Sequence, residues 1–97
     1  MKVQWTDTAL GHLTAIYDYI AQNSPRYAQG MVDRITRRTE QLVQFPLIGA
    51  VVTEYDDEEI REILEHPYRI IYKVIPERID VLAVIHGARR LPPTLPQ

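Results

Sequence analysis

The chain has 97 residues, a formal charge of −2, 45% apolar and 25% charged residues, the balance of one ordinary globular domain. It contains no cysteine, which excludes a disulfide framework and thiolate chemistry and fits a reducing compartment. Only Lys2 and Lys73 are lysines and the other cations are arginines; proteins that live by neutralising phosphates are usually basic, so general nucleic-acid binding is disfavoured while a small arginine site is not.

The opening MKVQWTDTA lacks the apolar core of a signal peptide, and no apolar run approaches the roughly 18–20 residues that span a bilayer. The cytoplasm is the expected location. Lys2–Trp5 alternates apolar positions (Val3, Trp5) and reads as a strand. Thr6 or Asp7 can then cap a helix over 7–22, because a short side-chain oxygen accepts from the free amides of the first turn. Leu10, Leu13, Ile16, Tyr17 and Ile20 recur at helical spacing and share a face. Gly11 costs this helix about 1 kcal/mol relative to alanine, and its missing side chain would allow another backbone to approach. Asn23 and Ser24 stop it.

Ser24-Pro25 opens a second helix, with serine as cap and proline where a missing N–H does no harm. Ala28, Met31 (or Val32), Ile35, Thr39, Leu42 and Val43 form its apolar stripe. It ends before Phe45-Pro46, since the residue before proline avoids the helical region. The short connection makes the two helices an antiparallel hairpin.

A loop follows over 46–59, with an extended piece at Ala50–Thr53 and the acidic run Glu54-Tyr-Asp-Asp-Glu-Glu59. The plainer reading of that run is a solvated loop; the functional one is a surface that attracts a basic partner or repels nucleic acid. Ile60–Leu64 reads as a strand and His66-Pro67 as a turn. Tyr68–Ile75 is rich in β-branched and aromatic residues. One of its faces is apolar throughout (Tyr68, Ile70, Tyr72, Val74) and the other mixes charge with bulk (Arg69, Ile71, Lys73, Ile75). Pro76–Arg78 turns the chain. Ile79–Ile85 is nearly all apolar and reads as a central strand covered on both faces. Leu91–Pro96 is too proline-rich to continue a ladder and reads as an extended, frayed end. The expected architecture is α+β, two-layer, β-α-α-β-β-β, with an antiparallel sheet packed on a helical hairpin. A single domain over 1–92 is followed by a Pro-rich tail over 93–97.

No metal site and no cofactor motif is legible. His12, His66 and His86 lack the close pairing of a zinc site, and His12 reads as exposed. Glycine-rich phosphate loops and nucleophile elbows are absent from the sequence. What remains is basic: Arg61, Arg69, His86, Arg89 and Arg90. Arg61 and Arg69 come from strands that should be neighbours, so their guanidinium groups could meet in one patch and grip a phosphate or carboxylate. His86 supplies an imidazole, the side-chain type suited to moving a proton. Such a trio would suit RNA cleavage by the neighbouring 2′-hydroxyl. The plainer reading is that Glu62 and Glu65 pair with Arg61 and Arg69 across strands, that His86 ends a strand, and that Gly87 supplies a positive φ at the corner.

Trp5 before an amphipathic helix with Tyr19-Ile20, then Ser24, Leu42…Phe45-Pro46…Gly49, Arg61-Glu62, Tyr68-Arg-Ile-Ile-Tyr72 and His86-Gly-Ala-Arg-Arg-Leu-Pro92 together resemble the RelE/ParE superfamily of type II toxins. The likeness runs from Trp5 to Pro92. It implies a bacterial or archaeal toxin neutralised by a cognate, ParD-like or similar antitoxin in a hetero-oligomer. It also implies one of two activities: poisoning DNA gyrase (ParE-like), or metal-independent cleavage of mRNA on the ribosome (RelE-like). The His86–Arg89 corner is more similar to the ParE branch. Nuclease members tend to carry several lysines and an acid/base residue after the last strand, whereas this chain has no lysine after Lys73 and only LPPTLPQ after Arg90. Arg69 matches the arginine of nuclease members, and Arg61 falls where either branch often has one. If the chain is RelE-like, the resemblance makes Arg69, Arg61 and His86 the catalytic set. Otherwise Arg61, Arg69, His86, Arg89 and Arg90 bind target or antitoxin, and a third reading is an inactive toxin homologue kept as a binding module with its antitoxin. The family often has a glycine shortly before its Arg-Glu pair, where this chain has Glu58-Glu59.

Overall fold

In the computed structural model, which describes residues 1–97, β1 (Lys2–Trp5) leads into α1 (Asp7–Ala21) and α2 (Pro25–Glu40). A 3-10 turn over Gln41–Val43 then leads to β2 (Ala50–Val51), β3 (Ile60–Glu65), β4 (Tyr68–Ile75) and β5 (Arg78–His86). The caps are the expected ones. The Thr6 hydroxyl accepts from the Ala9 amide at 3.1 Å and the Ser24 hydroxyl from the Tyr27 amide at 3.1 Å, each satisfying one orphan donor of a first turn. No helix is long and apolar enough to cross a membrane.

The five strands lie in the order β1-β5-β4-β3-β2. The hairpins β2–β3, β3–β4 and β4–β5 are antiparallel. β1 instead pairs parallel to β5, with Lys2 opposite Arg78 and Trp5 opposite Val81. The sheet is therefore mixed, not antiparallel throughout. The helical hairpin carries the chain away from β1, so no tight turn fixes the direction of that strand relative to β5. Thr6 reinforces the junction: its amide donates to the Val81 carbonyl at 3.1 Å, and its hydroxyl donates to the same oxygen at 3.1 Å.

One face of the sheet meets the helices. Ile63, Ile70, Tyr72, Ile79, Val81 and Val84 pack there with Ala9, Met31, Ile35 and Leu42. The other face buries Ile60, Ile71, Leu82, Ala83 and Ile85 beneath Val52, Leu91 and Leu95. A bulge sets this division. Ile71 pairs with Ala83 but Tyr72 pairs with Val81, so Leu82 is the extra residue and both Leu82 and Ala83 turn away from the helices. The wholly apolar run of β5 is explained by burial on both sides.

Two expectations need correction. Leu91–Pro96 does not fray: Leu91 and Leu95 are buried, and the Tyr55 hydroxyl donates to the Pro92 carbonyl at 2.8 Å. Proline cannot extend the ladder, yet the two leucines cover apolar surface that β5 would otherwise leave wet. Gly11 is approached by nothing, since a Cβ there would meet open space. The close approach is at Gly49, where a Cβ would collide with the Glu62 carbonyl and stand 2.6 Å from the Tyr72 hydroxyl.

Candidate functional site

The register decides which sequence-predicted residues can meet. Arg61 lies opposite Tyr72 and Arg69 opposite Leu64. Partners in this ladder always differ in parity, so two odd-numbered residues on β3 and β4 point to opposite faces. The expectation that Arg61 and Arg69 share one patch is therefore overturned. Arg61 lies on the helix side of the sheet, where its Nη1 donates to the Gly49 carbonyl at 2.7 Å and the Leu47 carbonyl at 3.4 Å.

Arg69 lies on the other side, and its donors are already taken. Nε and Nη2 donate to the two Glu62 carboxylate oxygens at 2.8 and 2.7 Å. Nη1 and Nη2 donate to Glu54 at 3.0 and 3.2 Å. Two bidentate carboxylates fill the fork that would otherwise hold a phosphate. Donating hydrogen bonds to Glu62 first and to Glu54 second raises the pKa of this guanidinium, and the bond donated by Arg69 is the main cause lowering that of Glu54. The acidic run is thus tied down. Lys73 holds Asp57 at 3.3 Å and lies 3.9 Å from Glu59.

His86 sits opposite Tyr68, on the helix side and away from Arg69. Its ring stands edge-on to Tyr68 with centroids 5.8 Å apart. Its Nδ1 accepts the Ala88 amide at 3.1 Å, which shapes the corner. Gly87 donates to the Pro67 carbonyl at 2.8 Å and does not have positive φ; it serves instead by closeness, since a Cβ there would come within 3.2 Å of that oxygen. Arg89 and Arg90 are exposed, and neither forms an ion pair. No three His, Asp or Glu side chains gather as a metal cluster.

What these residues border is an open groove of about 1300 Å³. One wall is α1, with Thr8, His12, Ile16 and Tyr19; the other is the C-terminal segment, with Arg89, Arg90 and Leu95; the floor is the end of β5. The groove exists because β1 ends at Trp5, opposite Val81, leaving the rest of that β5 edge unpaired by strand. His12 takes up one of the freed donors: its Nδ1 accepts the Val84 amide at 3.2 Å. Far from being exposed, His12 is half-buried. Burial first, and the charge of Arg89 second, lower its pKa; because Nδ1 accepts the Val84 amide, the ring proton lies on the other nitrogen. His12 and Tyr19 were not singled out from the sequence as site residues. The available signal was spacing, since His12 lies one helical turn before the stripe residue Ile16.

The geometry brings His12, His86, Arg89 and Arg90 to one groove and leaves Arg61 and Arg69 outside it. Exposed arginines beside aromatic rings suit a protein segment bearing carboxylates. A family model for the ParE toxin of the type II toxin–antitoxin system parDE matches residues 3–91. "Toxin RelE2" of Caulobacter vibrioides is 37% identical over 89 residues, covering 91% of this chain and 97% of that protein. Among solved structures, a chain of the chromosomal ParDE toxin–antitoxin system from P. aeruginosa superposes with a TM-score of 0.73 at 28% identity, over 89% of this chain and 95% of that one. The YoeB dimer from Staphylococcus aureus shares the fold with a TM-score of 0.64 at 16% identity, over 89% and 95% of the two chains. The fold and the match over nearly the whole length agree: this chain belongs to the ParE toxin family, within the RelE/ParE superfamily, as the toxin of a type II toxin–antitoxin module whose partner is an antitoxin.

Proposed function

We propose that this toxin arrests growth by binding DNA gyrase, without chemistry of its own. The observation that carries the reading is the separation of Arg61, Arg69 and His86. Arg69 faces away from the other two and is occupied by Glu54 and Glu62. A metal-independent nuclease needs its phosphate-binding cations and its proton carrier around one scissile bond, and these three side chains do not surround a common point. The match to the ParE family model and the absence of a lysine-rich surface support the same reading.

In this reading the antitoxin lies in the groove. A segment that folds on binding would run along α1 and place carboxylates on Arg89 and Arg90. The test is supercoiling of a relaxed plasmid by purified gyrase with increasing toxin. Inhibition that added antitoxin relieves is expected, and unchanged supercoiling at excess toxin contradicts the assignment. A ribosome-dependent endoribonuclease is the second reading, favoured by the name of the RelE2 relative. It requires Arg69 to leave its two carboxylates before it could hold a phosphate.

A further inference from the structure

At the β2 end of the strand order, opposite in sequence of strands to the groove, the loop Phe45–Gly49 presents three large apolar side chains to solvent. Phe45 is 58% exposed, Leu47 62% and Ile48 57%. Val51 of the adjoining edge strand is 38% exposed. Large apolar side chains exposed this close together along one loop are surface that a partner can cover.

The backbone beneath these side chains is fixed from inside. The fully buried Tyr72 accepts the Gly49 amide at 3.0 Å and donates to the Pro46 carbonyl at 2.9 Å. Arg61 holds the Gly49 and Leu47 carbonyls. Gly49 is what lets the loop come this close to Tyr72 and Glu62. Three exposed hydrophobes on a pinned backbone are pre-organised, so little ordering entropy remains to be lost when a partner arrives. Arg61 adds a charge to the patch. It forms no ion pair with any carboxylate of the chain, and its Nε is buried without a hydrogen-bond partner. A half-buried, uncompensated arginine beside apolar surface is complementary to a carboxylate supplied from outside.

We propose that Phe45, Leu47 and Ile48, with Arg61 behind them, are the surface that docks onto the toxin's protein target. The complementary feature on that target is an apolar cleft bordered by a carboxylate. This inference rests on the protein-target reading above. It also separates two roles: the groove beside α1 receives the antitoxin, and the loop at the β2 edge engages the target.

The experiment is the double substitution Leu47→Asp with Ile48→Asp in the full chain, read by growth arrest on induction, by co-purification with the antitoxin and by circular dichroism melting. The account expects a folded variant that still binds antitoxin but needs about tenfold more toxin, or more, for the same arrest, the effect of losing apolar anchors from an interface. A folded variant that arrests growth as fully as the parent overturns the proposal. So does a concentration-dependent dimer of the parent, seen by sedimentation and abolished by the substitutions, because the patch then belongs to a second copy. If the double variant fails to fold, Leu47→Ser alone is read against the same outcomes. Parent toxin that arrests growth but leaves supercoiling unchanged removes gyrase and keeps the surface; arrest through message cleavage removes both.

Discussion

The two faces of the sheet are covered by different materials. On the helix side, Ile70, Tyr72, Val81 and Val84 lie under Met31, Ile35 and Leu42 in one continuous apolar layer. On the other side, Ile71, Leu82, Ala83 and Ile85 lie under only Val52, Leu91 and Leu95, with Tyr55 packed alongside. Ion pairs rim that second cover: Arg69 with Glu54 and Glu62, and Lys73 with Asp57 and Glu59. The difference teaches how this small protein spends its cations. Those on the second face fasten a loop, and those left unpaired at the border, Arg89 and Arg90, remain for a partner.

The comparison can be broken by substitution, starting on the helix side. Ile70→Ala removes a fully buried side chain from a region of dense packing and should cost about 3–4 kcal/mol, read as a shift in the urea midpoint. That is a large share of the 5–15 kcal/mol typical of such domains. Leu95→Ala on the thinner cover should cost about 2 kcal/mol, and melting should fall by roughly 4–8 °C per kcal/mol. If Leu95→Ala leaves melting unchanged, the tail does not cover the sheet.

The charged rim should matter least at neutral pH. Glu54→Gln removes one of the two carboxylates on Arg69, but Glu54 is half exposed, so the loss should stay below about 1 kcal/mol. Its sign with pH is fixed: the hydrogen bond from Arg69 lowers the Glu54 pKa, so the stabilisation is present above the ordinary carboxylate range and is lost as pH falls through it. Glu54→Gln should flatten the acid limb of a stability–pH curve. His12 supplies a second, separate slope. Its pKa is lowered by burial and then by Arg89, so the unfolded chain binds more protons below the ordinary histidine pKa of about 6.5. Stability from this site is therefore present above that value and falls as pH drops. His12→Asn keeps an acceptor at the Nδ1 position for the Val84 amide and should abolish that slope; urea titrations at several pH values would show it.

The helical hairpin was legible because periodicity, Ser24-Pro25 and Phe45-Pro46 are local signals, and β4 was legible from its residue types. The direction of β1 was not, because its pairing with β5 is made across the length of the chain. The bulge at Leu82 was hidden for a related reason: in an unbroken apolar run, a shift of one residue leaves no trace in the pattern. At the site, the His86–Arg90 corner was legible by residue type. The supposed patch of Arg61 and Arg69 failed on register, and Glu62 was recognised as a partner for the arginines while Glu54 was read as solvated. His12 escaped notice because its role, accepting the Val84 amide, depends on an edge that β1 leaves uncovered.

The central claim is that these basic residues hold protein and do not cleave RNA. Primer extension on a translated message after induction of the toxin tests it most directly. The account predicts an unchanged pattern of extension stops while growth is arrested. New cuts within codons, lost on Arg69→Ala in a protein that still folds, would contradict it.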